Sequence, residues 1–244
     1  MDRLIYTAMT GAKYLFDRQA TLSHNLANAS TTGFRADMVG MRAVPTTGPQ
    51  GGTRVFAVET TIGSDFATGQ MTTTGRSLDA AIQGQGWFAA QGADGNEAYT
   101  RDGSFQVGPD ATLQLSNGMQ VAGTGGPITM PADAQSVTIG SDGTVTVKSA
   151  SSTLPTTIGK LKLVNPPISS LAKGVDGMFH LKSGDAADAD AAVKVVGGSL
   201  EGSNVNVIES MVDMIGAARQ YELQMKMLTT AEQNEQKAGT LLGG

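Results

Sequence analysis

The chain contains no cysteine and only two histidines. Disulfides, thiolate metal sites and a cysteine nucleophile are therefore excluded, and the redox compartment is left open. His24 lies in a run of Asn, Ser and Thr, and His180 lies in Gly177-Met178-Phe179-His180-Leu181; neither has sequence neighbours that argue for a Ser-His-Asp relay. A lone histidine in such a setting reads as a cap or surface residue. Aromatic residues are scarce at 5%, and basic residues do not cluster. The net charge of -5 argues against nucleic acid as a partner and against attraction to an anionic membrane. No stretch approaches the ~20 apolar residues of a bilayer span, so no membrane insertion is expected. Met1-Asp2-Arg3-Leu4-Ile5-Tyr6-Thr7 also lacks the basic n-region of a cleaved secretory signal. Gly84-Gln85-Gly86 has neither the third glycine nor the following helix of a dinucleotide loop and reads as a turn. Asp185, Asp188 and Asp190 fit no EF-hand spacing and read as a solvated loop. No cofactor, no metal and no catalytic residue are expected.

What is abundant is turn chemistry. Thirty-two glycines and eight prolines accompany many threonines and alanines, the composition of a turn-rich β chain. Turn signals recur every eight to ten residues or so, at Asp94-Gly95, Asp102-Gly103, Pro109-Asp110 and Asn117-Gly118, then at Asp142-Gly143 and Asp176-Gly177. Short β-like runs fall among them: Leu78 to Ile82, Phe105 and Val107, Leu113 and Leu115, Met119 and Val121, Ile128 and Met130, Val137 and Ile139, Val145 and Val147, and Lys160 to Val164. Helical crossovers are missing, so a doubly wound sheet is ruled out. The expected fold class is α+β, with a mainly antiparallel β domain over residues 76–198, a sandwich or irregular barrel. Residues 37–75 read as an extended connector broken by Pro45, Gly48, Pro49, Gly51 and Gly52. One strand interrupts it, at Phe56, Val58, Thr60 and Ile62.

The two ends of the chain carry a different period. Ile5, Ala8, Ala12, Leu15, Leu22 and Leu26 step by fours and threes through residues 1–36, with Gln19 the polar member. Val207, Met211, Met214, Ala218, Tyr221, Met225 and Leu228 repeat that stepping within residues 199–244. Asn206 with Glu209 reads as a capping box that opens the second helix, which is expected to run to about Lys237. The two seams are expected to form a coiled-coil-like terminal domain. They would pair with each other or with neighbouring subunits, staying exposed in the monomer. Gly33 is expected to help stop the first helix, being free to take positive φ.

Three separated blocks then carry a resemblance. The first holds Ser23, Asn25, Leu26, Ala27, Asn28, Thr31, Gly33 and Phe34. The second runs Thr74-Gly75-Arg76-Ser77-Leu78-Asp79-Ala80-Ala81-Ile82-Gln83-Gly84-Gln85-Gly86-Trp87-Phe88, then Tyr99-Thr100-Arg101-Asp102-Gly103-Ser104-Phe105. The third runs Leu200-Glu201-Gly202-Ser203-Asn204-Val205, with Met211-Val212-Asp213-Met214-Ile215 and Arg219-Gln220-Tyr221-Glu222 beyond it. In this order they resemble the flagellar basal-body rod and hook protein family, with departures at His24, Trp87 and Ser210. The resemblance implies a structural subunit of the proximal rod that assembles helically through its terminal helices and transmits torque for motility. It also implies other rod subunits and copies of itself as partners, and the flagellar type III export apparatus as the route to the periplasm. A distal-rod or hook subunit is the alternative within the family. The rival from another class is a secreted β-rich wall-binding module or enzyme, for which Trp87 beside Phe88 would be the stacking platform.

Overall fold

A computed structural model describes residues 2–45, 55–92, 95–150 and 154–242. The chain falls into two compact units, and their sequence ranges interleave. Unit 1 comprises Met1–Ala29, Ala36–Asp65 and Val205–Gly244, and unit 2 comprises Ser30–Arg35 and Phe66–Asn204.

Unit 1 holds two helices and a hairpin. Helix α1 spans Asp2–Ala27 and α2 spans Val207–Leu242. At 36 residues α2 is about 54 Å long. Asn206 caps it as the sequence indicates, its side-chain oxygen accepting from the amides of Ile208 and Glu209 at 3.1 and 3.3 Å. The helices run antiparallel: Arg18 of α1 pairs with Asp213 of α2 at 3.0 Å, and Gly11 lies against the Gln224 side chain. The hairpin is built from β1, Asp37–Pro45, and β2, Val55–Ser64, in antiparallel register from Asp37↔Ser64 to Pro45↔Val55. The connector reading placed one strand here. The second strand was illegible because Asp37-Met38-Val39-Gly40-Met41-Arg42 does not alternate and ends on a proline. The turn residues Gly48, Pro49, Gly51 and Gly52, and the side chains of Phe56, Val58, Thr60 and Ile62, lie outside the described residues.

Unit 2 is antiparallel throughout. Its first strands are β3 Met71–Thr73, β4 Ala80–Gln83, β5 Trp87–Gln91, β6 Glu97–Thr100, β7 Gln106–Val107, β8 Leu113–Gln114 and β9 Gln120–Gly123. They continue as β10 Gly126–Pro127, β11 Ala134–Ile139, β12 Thr144–Ser149, β13 Thr156–Lys160 and β14 Leu163–Val164. Last come β15 Leu171–Lys173, β16 Phe179–Leu181, β17 Lys194–Gly197 and β18 Ser199–Glu201. Among the described residues, nine strands join in one sheet ordered β15-β16-β6-β5-β9-β8-β7, with β10 added to β9 and β14 to β5. That path has two ends, so the sheet is open and branched rather than a closed barrel. A three-stranded sheet β11-β12-β13 and the pairs β17-β4 and β18-β3 complete the unit. The β18-β3 pairing draws in residues on both sides of the 76–198 span read from sequence.

Strand β5 explains where the core sits. Trp87, Phe88, Ala89 and Ala90 are all buried, so both faces of the strand are covered. Phe88 and Ala90 enter a large core with Phe105, Leu113, Val121 and Val145, and Phe88 meets Phe105 edge-on at 5.2 Å. Trp87 and Ala89 enter a second core with Tyr99, Val164 and Phe179, against which Phe66 packs. Asn117-Gly118, Asp142-Gly143 and Asp176-Gly177 mark real turns where the glycines take positive φ, whereas Asp102-Gly103 is no turn and Gly103 instead allows close approach to the Ala80 carbonyl. The Pro109-Asp110 turn is different: Ala111 carries the positive φ, at 56°.

Candidate assembly site

The three motif blocks meet inside unit 2, at one carboxylate. Glu201 of β18 is 1% exposed and bonds the Arg35 guanidinium through Oε1 at 2.6 Å and the Arg101 guanidinium through Oε2 at 2.8 Å. Oε1 also accepts the Gly69 amide at 2.9 Å, and the Glu201 carbonyl accepts the Gly33 amide at 2.8 Å. Gly33 has φ +67°, and a Cβ there would lie 2.3 Å from the Asp102 nitrogen. It therefore serves close approach of segment 30–35 to Arg101 and Asp102. Helix α1 has already ended at Ala27, where Asn28 turns back onto the His24 carbonyl, so Gly33 is not the helix stop expected from sequence. Asn204 closes the arrangement, donating its amide to the Phe34 carbonyl at 3.3 Å and its side chain to Ala67 at 3.1 Å.

This buried cluster holds two cations and one anion. The Trp87 ring supplies further stabilisation, with the Arg101 and Arg35 guanidiniums 5.4 and 6.0 Å from its centroid. Burial pulls the Arg101 guanidinium below its ordinary pKa, Glu201 opposing that shift and Arg35 adding to it. Sequence reading named Trp87 and missed the three charges. The available signal was position alone: Arg101 and Glu201 stand inside the second and third motif blocks, and Arg35 directly follows the first.

In unit 1, Asn25 is buried and acts as a miniature strand partner. Its Nδ2 donates to the Asp37 carbonyl at 2.9 Å, and its Oδ1 accepts the Asp37 amide at 2.8 Å. His24 lies 3.1 Å from the Asp37 carboxylate, so the end of α1 is fastened to the base of the hairpin. Leu26, Asn28 and Phe34 are half-buried, whereas Ala27 and Thr31 are exposed.

The seam residues divide into three groups. Ala8, Ala12 and Leu15 are buried within the chain, so this part of the N-terminal seam is not exposed in the monomer. Leu22, Leu26, Met214, Ala218, Tyr221 and Leu228 are half-buried. Val207, Met211 and Met225 are exposed, and the side chain of Ile5 lies outside the described residues. The stripe of α2 that turns inward is Ser210, Met214, Ala217, Tyr221, Gln224, Leu228 and Ala231, with Ala217 the most buried at 2%. It shares Met214, Tyr221 and Leu228 with the expected seam, but its other members sit one residue away. Small residues are the most deeply covered here: Ala217 on α2 and Ala8 and Ala12 on α1 are buried, together with Leu15. The bulky apolar residues are left outside: Ile208, Val212, Ile215, Leu223 and Met227 on α2 are exposed, as are Met9 and Phe16 on α1.

Neither histidine is set up for catalysis. His180 is spanned by the Glu97 carbonyl and the Asp176 carboxylate, at 3.1 and 3.0 Å. Trp87, the stacking platform that a wall-binding module would need, is buried at 4% exposure. Among the described residues, no group of three or more His, Asp or Glu side chains is placed to hold a metal.

Residues 5–35 match the family described as flagella basal body rod protein. Residues 81–147 match the flagellar hook protein FlgE/F/G D1 domain, and residues 196–241 match the C-terminal region of the flagellar basal body rod FlgEFG proteins. Along its length the chain is 42% identical to the flagellar basal-body rod protein FlgF of Salmonella typhimurium and 43% identical to that of Escherichia coli, in each case over 99% of both proteins. The chain belongs to the flagellar basal-body rod protein family. A rod protein FlgG of Agrobacterium fabrum is 31% identical over 95% of this chain and 96% of its own. As a rod protein the chain is a structural component of the flagellar basal body, not an enzyme. No helix among the described residues is long and apolar enough to cross a membrane.

Proposed function

We propose that this rod protein occupies the proximal rod, adjoining the distal rod, and that it polymerises with copies of itself and with related rod subunits through the faces of its terminal helices. The observation that carries the reading is the apolar surface of α1 and α2 that the chain leaves uncovered, from Ile208, Val212 and Ile215 to Met9 and Phe16. Met211 and Met225 of the expected seam belong to that surface. Each such side chain contributes roughly 1.5–3 kcal/mol when fully buried against a neighbour. A contact of this kind between different faces of successive subunits does not close on itself and builds a helical tube. Coiled-coil packing of the helices between subunits, and torque transmission along the tube, follow from this reading. The proximal position rests on the resemblance of Met1-Asp2-Arg3-Leu4-Ile5-Tyr6 and Met9-Thr10-Gly11-Ala12 to that subunit. Delivery to the periplasm through the flagellar type III apparatus, without membrane insertion, completes the proposal.

The test is a charge placed on the uncovered face. Ile215→Asp and Met211→Asp should leave the purified chain with unchanged thermal stability while cells carrying either variant lose rod assembly and swimming. Normal motility in both variants would remove the terminal-helix interface.

A further inference from the structure

Unit 2 is made from two separated pieces of chain, and residues of both pieces converge on Glu201. The short piece, residues 30–35, is held by Gly33 and Arg35; the long piece is held near its start by Gly69 and near its finish by Glu201 itself and Asn204. Gly202 adds a bond from its amide to the Gln70 carbonyl at 2.8 Å. No other residue bonds both pieces and the Arg101 guanidinium at once among the interactions described above. We infer that Glu201 is a positioning residue: its carboxylate fastens the finish of the short piece at Arg35 to the start of the long piece at Gly69 and to Arg101 beyond β6.

The chemistry favours a fastening over a passive core contact. A buried ion pair is a weak source of net stability, because desolvation offsets much of the attraction, but removing one partner leaves an uncompensated buried charge. Here two guanidiniums depend on one carboxylate. Arg35 Nε and Nη1 and Arg101 Nε have no hydrogen-bond partner among the described residues. Two cations therefore share a single anion, one at each carboxylate oxygen, and Arg101 has the Gly84 carbonyl at 2.7 Å as its other acceptor. Loss of the negative charge would free segment 30–35 and the neighbouring strands β3 and β18. The larger apolar core around Phe88 would be untouched, because it contains none of these side chains, whereas the core around Phe179 meets the cluster only through Trp87.

Amide hydrogen exchange on the full-length chain tests this. Glu201→Gln keeps the size and removes the charge. Exchange at Gly33, Gly69 and Gly202 should accelerate by about tenfold or more, while Ala89 and Leu115 in the central sheet keep their protection. If Glu201→Gln does not accumulate, Glu201→Asp retains the charge but withdraws it by one methylene and is expected to show the same pattern more weakly. Unchanged exchange in the Glu201 variant would overturn the assignment, as would equal loss of protection at Ala89 and Leu115. The importance of the fastening for motility rests on the rod reading, whereas the exchange experiment uses isolated protein, so the two ideas fail separately.

Discussion

Units 1 and 2 solve the burial problem in opposite ways. Unit 2 closes two aromatic-rich cores, and Phe88, Phe105 and Tyr99 at their centres are at most 1% exposed. Unit 1 pairs its helices through alanine, glycine and half-buried side chains, and it leaves Phe16 at 63% and Ile208 at 76% exposure. The difference teaches that hydrophobic content alone does not say whether an element is finished. A unit that covers its large apolar side chains is complete as a monomer, while one that covers the small ones and exposes the large ones is built to be covered by something else.

The sharpest way to break that contrast is a matched pair of truncations. Phe88→Ala should cost unit 2 about 3–5 kcal/mol in urea unfolding, because it opens a cavity between Phe105 and the surrounding aliphatics. Phe16→Ala should change chain stability by less than about 0.5 kcal/mol while weakening assembly. If the two variants destabilise the monomer equally, α1 is a core element and the contrast collapses.

A smaller effect probes how dry the closed unit is. Burial pushes the Tyr99 hydroxyl up from 10 to about 12, against the lowering effect of the Ala187 amide that donates to it. A pKa raised on folding means that the stabilisation is complete below pH 10 and is lost as pH climbs toward 12. The native chain should therefore lose stability across that window more steeply than Tyr99→Phe, as read from thermal unfolding in the two proteins. Parallel curves would mean that Tyr99 ionises as freely in the folded unit as in the unfolded chain. Smallest of all, Ala111→Gly should raise stability by about 0.5 kcal/mol, because glycine removes the cost of φ +56° but gives back part of the gain as unfolded-state entropy. A loss of stability would show that the Ala111 methyl makes packing contacts worth more than the backbone strain.

The closed unit was also the more legible one. Asn117-Gly118, Asp142-Gly143 and Asp176-Gly177 announce their turns because positive φ is written into residue type. Asn206 announces the start of α2 in the same local way. What local chemistry does not encode is orientation. In the first turns of α2, Val207, Ile208, Met211, Val212, Met214 and Ile215 cover an arc of about 160° at 3.6 residues per turn, broad enough for the four-three period to admit two adjacent stripes. The Glu201 cluster was hidden for a related reason, since Arg35, Arg101 and Glu201 are remote in sequence and only the sheet topology brings them together. Asn25 stands in sequence only as a member of the first motif block, and its role as a partner for Asp37 is visible only with the hairpin present.

The interleaving of the two units has a kinetic consequence. Segment 30–35 belongs to unit 2, yet Arg35 and its partner Glu201 are 166 positions apart, with nearly the whole β unit between them. Closing so long a loop is entropically unfavourable until the intervening strands have shortened it. The Arg35 contact is therefore expected among the last to form as the chain folds and the first to open as it unfolds. A truncation that removes the first thirty-six residues to isolate the β unit would also remove the piece that completes it.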